Sequence, residues 1–278
     1  MTGATGNVGR TLVQTLAAAG EQVTAVSRAT APQALPDGVR HQRADVTAPE
    51  TLAPAFAGAK ALFLHDTGTS AHLMDPRAIL ELAKSAGIQR VVQLSSQGVA
   101  TRPESPSHGQ LGRSIEEAVQ ASGLEWTILR PSAFASNAYA WVESARTQRT
   151  VAAPFGDVGL PVIDPDDIAE VAAAALREDG HAGQIYTLTG PALSTPRQRA
   201  DDLGAALGEP IRFVEQTREE ARAQMVQFMP EPVVETTLAI IGAPTPAEQQ
   251  ISPDVEKVLR RAPHSFADWT RRNVVAFK

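Results

Sequence analysis

Three glycines recur at every third position within the first nine residues, Met1-Thr2-Gly3-Ala4-Thr5-Gly6-Asn7-Val8-Gly9. The run from Arg10 to Gly20 then reads as a helix, and Val23-Thr24-Ala25-Val26 as a strand. A glycine turn entering a helix N-terminus opens backbone N–H groups to phosphate oxygens, and the helix dipole favours their negative charge. Gly3, Thr5, Gly6, Asn7 and Val8 are therefore the expected cradle of a pyrophosphate. Such a turn needs a buried parallel strand just before it, and only Met1 and Thr2 precede Gly3. Either about five apolar residues of strand belong before Met1, or the central sheet lacks a strand. The first is expected, because each backbone group orphaned in a sheet costs about 1–3 kcal/mol. Marginal stability does not survive many such losses.

The chain has 278 residues and is 43% hydrophobic, enough for one large domain, or a domain and a small lobe, with a full core. Its net charge of −6, with both signs spread along the chain, argues against nucleic acid as a partner. No apolar run has membrane-spanning length and no basic-then-apolar leader is visible, so the expected location is the cytoplasm, with no membrane partner. The absence of cysteine excludes disulfides, thiolate catalysis and cysteine-ligated metals. His41, His65, His72, His108, His181 and His264 lack ligand spacing, so no metal site is expected.

The first two-thirds alternates apolar strands with longer amphipathic segments, as in a parallel sheet covered by helices on both faces. Strands are expected at 22–26, 40–43, 61–64, 90–94, 126–129 and 185–188. Helices are expected at 10–19, 51–56, 76–86, 109–121 and 165–177. Asp164, Pro165 and the acids after them suit a helix start. Past residue 190 the expected elements are helices at 195–207, 218–229 and 253–260 around a strand at 211–215. This divides the chain into a nucleotide-binding domain, 1–190, whose first strand is missing or truncated, and a small, mostly helical substrate-covering lobe, 191–278.

Arg28 follows the second strand of the pattern, where an acidic side chain would accept hydrogen bonds from the ribose 2′-OH of NAD. The run is Val26-Ser27-Arg28-Ala29-Thr30, without an acid. An arginine there suits a 2′-phosphate, with Ser27 adding a hydroxyl, so NADP(H) is expected in preference to NAD(H). Asp45 is placed to accept from an adenine amino group, with Val46 against the ring; a turn or capping aspartate is the other reading. His65, in Leu64-His65-Asp66-Thr67-Gly68, fits a cofactor pocket or a polar loop.

Several segments together resemble the NmrA-like branch of the atypical short-chain dehydrogenase/reductases. They are Thr2-Gly3-Ala4-Thr5-Gly6-Asn7-Val8-Gly9, Val26-Ser27-Arg28, Ala44-Asp45-Val46, Leu94-Ser95-Ser96, Ser122 to Pro131, Asp164 to Ala169 and Ser265 to Trp269. The resemblance spans essentially the whole chain. It implies an α/β, Rossmann-type, doubly wound parallel sheet binding NAD(P)H at the strand ends, with a substrate cleft under the C-terminal lobe. It also implies that Ser95 meets cofactor or backbone. The segment after Arg130-Pro131 would line the nicotinamide side, making Phe134, Asn137, Tyr139 and Trp141 candidate substrate contacts; packing is the other reading of Phe134 and Trp141.

The departure is equally informative. Active members of the wider superfamily use a Tyr-x-x-x-Lys pair, in which tyrosine moves the proton and lysine lowers its pKa. Those two positions here hold His108 and Gly112, and neither Tyr139 nor Tyr186 has a lysine four residues on. His108 is the candidate proton donor, or else a loop histidine. The expected activity is NADPH-dependent hydride transfer to a quinone or similar small electrophile that needs little acid assistance. The alternative is a catalytically silent NADP(H)-sensing regulator with a protein partner.

Overall fold

The structure, a computed structural model, describes residues 1–29, 35–65 and 72–278. Thr30 and the Asp66-Thr67-Gly68 segment lie outside the described residues. The chain divides into two compact units. The first comprises Met1–Glu104, Gly109–Pro131 and Pro165–Thr187; the second comprises Ser105–His108, Ser132–Asp164 and Leu188–Lys278.

The strands are β1 (Val23–Ser27), β2 (Val39–Arg43), β3 (Ala61–His65), β4 (Arg90–Leu94), β5 (Glu125–Pro131), β6 (Thr150–Pro154), β7 (Gln184–Leu188) and β8 (Arg212–Gln216). In the first unit β1 pairs with β2 in parallel, and a four-stranded sheet runs in the order β3-β4-β5-β7. The β3–β4 and β4–β5 pairs are parallel. Their residues are apolar on both faces, Leu62-Phe63-Leu64 and Val91-Val92 being almost wholly buried, because helices cover both sides. One layer is built on Leu52, Phe56, Ile79, Ile115, Val119 and Ile128. On another, Asn7–Ala18 packs along Pro165–Arg177, whose Ala169, Ala172 and Ala173 let the two helices approach closely.

Between β1 and β3 the sheet has a slot. Among the described residues, Met1 and Thr2 enter it, at one end. The Met1 amine donates to Thr24 O at 2.7 Å, Val26 N–H donates to Met1 O, and Thr2 N–H donates to Phe63 O at 3.0 Å. The two residues thus bridge β1 and β3 as one rung of a parallel ladder. Behind them lies a cavity of about 830 Å³, lined by Thr24, Val26, Leu62, Phe63, Leu16 and Phe56 among others. Burial, aided by the charge of Arg40, depresses the Met1 amine to about 5.

The expected elements recur in the first unit with boundaries shifted by up to three residues, the first helix starting at Asn7 and not Arg10, and Pro165–Arg177 has the expected bounds. The second unit departs more. The strand β6 was not expected; it pairs in parallel with β8. Helices Val142–Gln148, Glu231–Gly242 and Phe266–Asn273 were not expected either. In Glu231–Gly242, Pro232 sits in the first helical turn, where its missing N–H has no helical partner to lose. Ser265 caps Phe266–Asn273 through a reciprocal pair with Asp268. Ala145, Val151, Leu203, Trp269 and Phe277 form the core of this unit. No helix among the described residues is long and apolar enough to cross a membrane.

Candidate functional site

The glycine turn is built as its chemistry requires. Gly3 has φ of +66°, a left-handed conformation that a side chain disfavours. A Cβ on Gly9 would lie 2.0 Å from Gly3 O, so only glycine lets the first helix sit this close to the turn. Gly6 caps that helix without a side chain, and the first turn holds no acid. A phosphate therefore meets backbone N–H groups and no competing carboxylate, and the cradle fits a dinucleotide pyrophosphate. Ala4 N–H donates to Val26 O, which fixes the turn to β1. Thr2 Oγ1 donates to Phe63 O and accepts from His65 N–H at 2.8 Å, which fixes it to β3. The His65 ring lies over Gly3, within 3.1 Å of where a Cβ would stand.

At the end of β1, Ser27 is buried and Arg28 is exposed. Ser27 Oγ lies 2.8 Å from His41 Nε2, and Arg43 Nε donates to Arg28 O at 3.1 Å. Asp45, just past β2, accepts from Thr47 N–H through Oδ1, an aspartate turn, and Val46 beside it is buried.

Ser95 directly follows β4 and is held by a network absent from the sequence reading. Its Oγ donates to Glu116 Oε1 at 2.5 Å. Glu116, 3% exposed, also takes both arms of Arg130, Nε at 2.9 Å and Nη2 at 2.5 Å. A buried carboxylate needs such a fork to remain charged. The signal was present: Glu116 interrupts the apolar face formed by Ile115, Ala118 and Val119, and Arg130 follows an apolar strand.

The two positions that would hold the tyrosine and lysine are occupied differently. A Cβ on Gly112 would lie 2.6 Å from Val99 Cγ2, so the helix Leu111–Ala121 packs tightly against Gly98–Thr101 at that point. His108 sits in a wide helical turn, Pro106–Gln110, half-buried, with Nδ1 2.9 Å from Ser107 Oγ and its N–H donating to Ser105 Oγ. Neither tyrosine hydroxyl is idle. Tyr186 OH lies 2.9 Å from His181 Nδ1, and desolvation pulls that histidine's pKa down. Tyr139 OH donates to Asn273 Oδ1 at 2.6 Å, and its ring meets Trp269 edge-on and stacks on Phe277.

Of the other residues after β5, Phe134 bridges to Ile163 and accepts from Asn137 N–H, while the Asn137 side chain is exposed. Trp141 packs on the core of the second unit, with Arg199 5.7 Å from its ring centroid. Burial lowers Arg199 to about 10.

Comparison with known proteins agrees with this geometry. Residues 3–179 match the family described as NAD(P)H-binding. The chain is 32% identical over its full length, and 98% of the relative's, to the (4-alkanoyl-5-oxo-2,5-dihydrofuran-3-yl)methyl phosphate reductase of Streptomyces griseus. It is 31% identical to the NAD(P)H azoreductase of Xenophilus azovorans, over 99% of this chain and 97% of that one. Among solved structures, the NADPH complex of a quinone oxidoreductase from Escherichia coli superposes with a TM-score of 0.80, at 24% identity and 98% coverage of each chain. The transcriptional regulator NmrA with NADP superposes at 0.75, with 19% identity and 97% and 93% coverage. The chain belongs to the NAD(P)H-binding family, and is an NAD(P)H-dependent oxidoreductase.

Proposed function

We propose that this protein is an NADPH-preferring reductase that delivers hydride to a quinone or a similar small electrophile. The observation that carries the cofactor preference is the basic end of β1. Ser27 and Arg28 meet Arg43 there, and the residue after Ser27 is a cation where NAD binding would want an acid. Bound NADPH supplies the hydride; the chain binds the pyrophosphate on the first helix and holds the 2′-phosphate by charge. Gly3, Thr5, Gly6, Asn7 and Val8 form the cradle, with Asp45, Val46, His65 and Ser95 along the strand ends.

The acceptor class follows from what stands in place of the usual acid pair. Gly112 is closed over by Val99, and both tyrosines are engaged elsewhere. An acceptor that takes hydride readily and gives a stable anion suits such a site. The hydroquinone anion then takes its proton from water or from His108. Phe134, Asn137, Tyr139 and Trp141 are the proposed substrate-side residues. The small electrophile is the expected partner; a protein partner belongs to the regulatory alternative, which the missing acid pair also suits.

The test is NADPH oxidation, followed by its near-ultraviolet absorbance, against quinones and activated carbonyls, in wild type and Arg28→Ala. Saturable turnover that falls with NADPH in Arg28→Ala, while NADH turnover holds, supports the reading. Equal losses with both nucleotides remove the 2′-phosphate assignment. Tight NADPH binding with no turnover of any acceptor favours the regulator.

A further inference from the structure

The proposed 2′-phosphate site includes a contact that charge alone leaves unexplained. Ser27 is 8% exposed, and its hydroxyl meets the imidazole of His41, the residue on β2 that lies two positions before Arg43. A hydroxyl has one proton to donate. Ser27 Oγ also lies 3.4 Å from Ala29 O, a long contact for an O–H donor. Either Ser27 gives its proton to His41 Nε2, or His41 donates Nε2–H to Ser27 Oγ and the serine proton, which otherwise reaches only the distant Ala29 carbonyl, turns to an anion. The surroundings favour an anion. Arg28 follows β1, Arg40 and Arg43 lie on β2, and none of the three has a carboxylate partner among the described residues. The first helix, packed on β1, contributes Arg10 and no acid, and Ala53–Phe56 contributes no charge. The one carboxylate just beyond β2, Asp45, is engaged with Thr47 N–H.

We propose that His41 is a positioning residue that sets specificity for the 2′-phosphate. It donates to Ser27 Oγ and orients the serine proton for the phosphate, beside the cations of Arg28 and Arg43. The inference rests on the NADPH-preferring reading. Affinity for 2′-phosphorylated nucleotides then depends on a hydrogen-bond donor at position 41, and affinity for unphosphorylated ones does not.

The experiment measures dissociation constants of the full chain for 2′-phospho-ADP-ribose and ADP-ribose, in wild type, His41→Gln, His41→Leu and Arg28→Ala. His41→Leu loses about tenfold for the phosphorylated probe, the scale of one charge-assisted hydrogen bond, and nothing for the other. His41→Gln, whose amide N–H donates to Ser27, stays within about threefold of wild type for both probes. Equal weakening of both probes in His41→Leu, or the same loss for the phosphorylated probe in His41→Leu and His41→Gln, overturns the proposal. Selective loss in Arg28→Ala with none at His41 removes this inference and keeps the NADPH reading; equal loss of both probes in Arg28→Ala removes the reading itself. If His41→Leu fails to fold, Ser27→Ala decides: a loss confined to the phosphorylated probe supports the oriented hydroxyl, and no loss overturns it.

Discussion

Filling the slot between β1 and β3 should stabilise the protein, by an amount that follows from its register. In a parallel strand the N–H and C=O of one residue point to the same neighbour, and successive residues alternate. Thr24 O and Val26 N–H face the slot, so Thr24 N–H and Gln22 O do too; Phe63 O does, so Phe63 N–H and Ala61 O do. An extension of six apolar, β-branched residues before Met1 meets those four groups, at about 1 kcal/mol net for each hydrogen bond. It buries about four side chains in the 830 Å³ cavity, at about 2 kcal/mol each. Ordering six residues opposes this at about 1.5 kcal/mol apiece. The net gain is about 3 kcal/mol, or roughly 6–10 °C in melting temperature for a chain of this size.

The buried Met1 amine provides an independent control. Its pKa is lowered from 8.0 to about 5 on folding, so between those values the unfolded chain binds the extra proton. Stability from this group is complete above pH 8 and falls as the pH drops toward 5. Acetylating Met1 removes the charge and leaves the slot open, so it should flatten this part of the pH profile and leave most of the cavity penalty. The extension should do both. Thermal unfolding across that pH range, on the 278-residue, acetylated and extended chains, is the assay. An extension that gives no gain over acetylation, or an all-serine extension that stabilises equally, would refute the strand-filling argument.

Three other perturbations follow from the site. Glu116→Gln strands Arg130 and loosens Ser95, and should cost about 3–5 kcal/mol in urea unfolding because one half of a buried ion pair remains; a loss below about 1 kcal/mol would mean the pair is solvated. Gly9→Ala puts a carbon on Gly3 O and should abolish nucleotide binding measured by calorimetry, whereas retained affinity would mean the turn can open. His108→Ala should leave quinone reduction within about threefold if hydride transfer limits, and a fall of 10²-fold or more in kcat with unchanged binding would make His108 the acid.

The first unit was legible because its sheet strands are apolar runs and its glycines are fixed by geometry: Gly3, Gly6 and Gly9 predicted the turn, and Arg28 was located by counting from it. The second unit was less so. Thr150–Pro154 starts on the β-branched pair Thr150-Val151 but continues as Ala-Ala-Pro, residues depleted in strands. Glu231–Gly242 opens on Pro230 and Pro232, which mask a helix start in sequence, although a proline in the first turn is permitted. Within the site, Ser27 and Arg28 were visible in sequence, but His41 and the Glu116–Arg130 fork were not. Their partners lie 14 residues away, and the register of β1 on β2 or of a helix on a strand decides who meets whom.

The contact between Gly112 and Val99 also constrains descent. A lysine at 112 would have to displace a buried valine methyl from 2.6 Å, and overpacking of that kind costs about 1–3 kcal/mol before any catalytic benefit exists. Val99 would have to become smaller first, and a cavity there has no value by itself. Recovering the tyrosine–lysine chemistry from this sequence is therefore an ordered path through a less stable intermediate. Neutral substitution alone closes such a path, so glycine at 112 and valine at 99 hold each other in place.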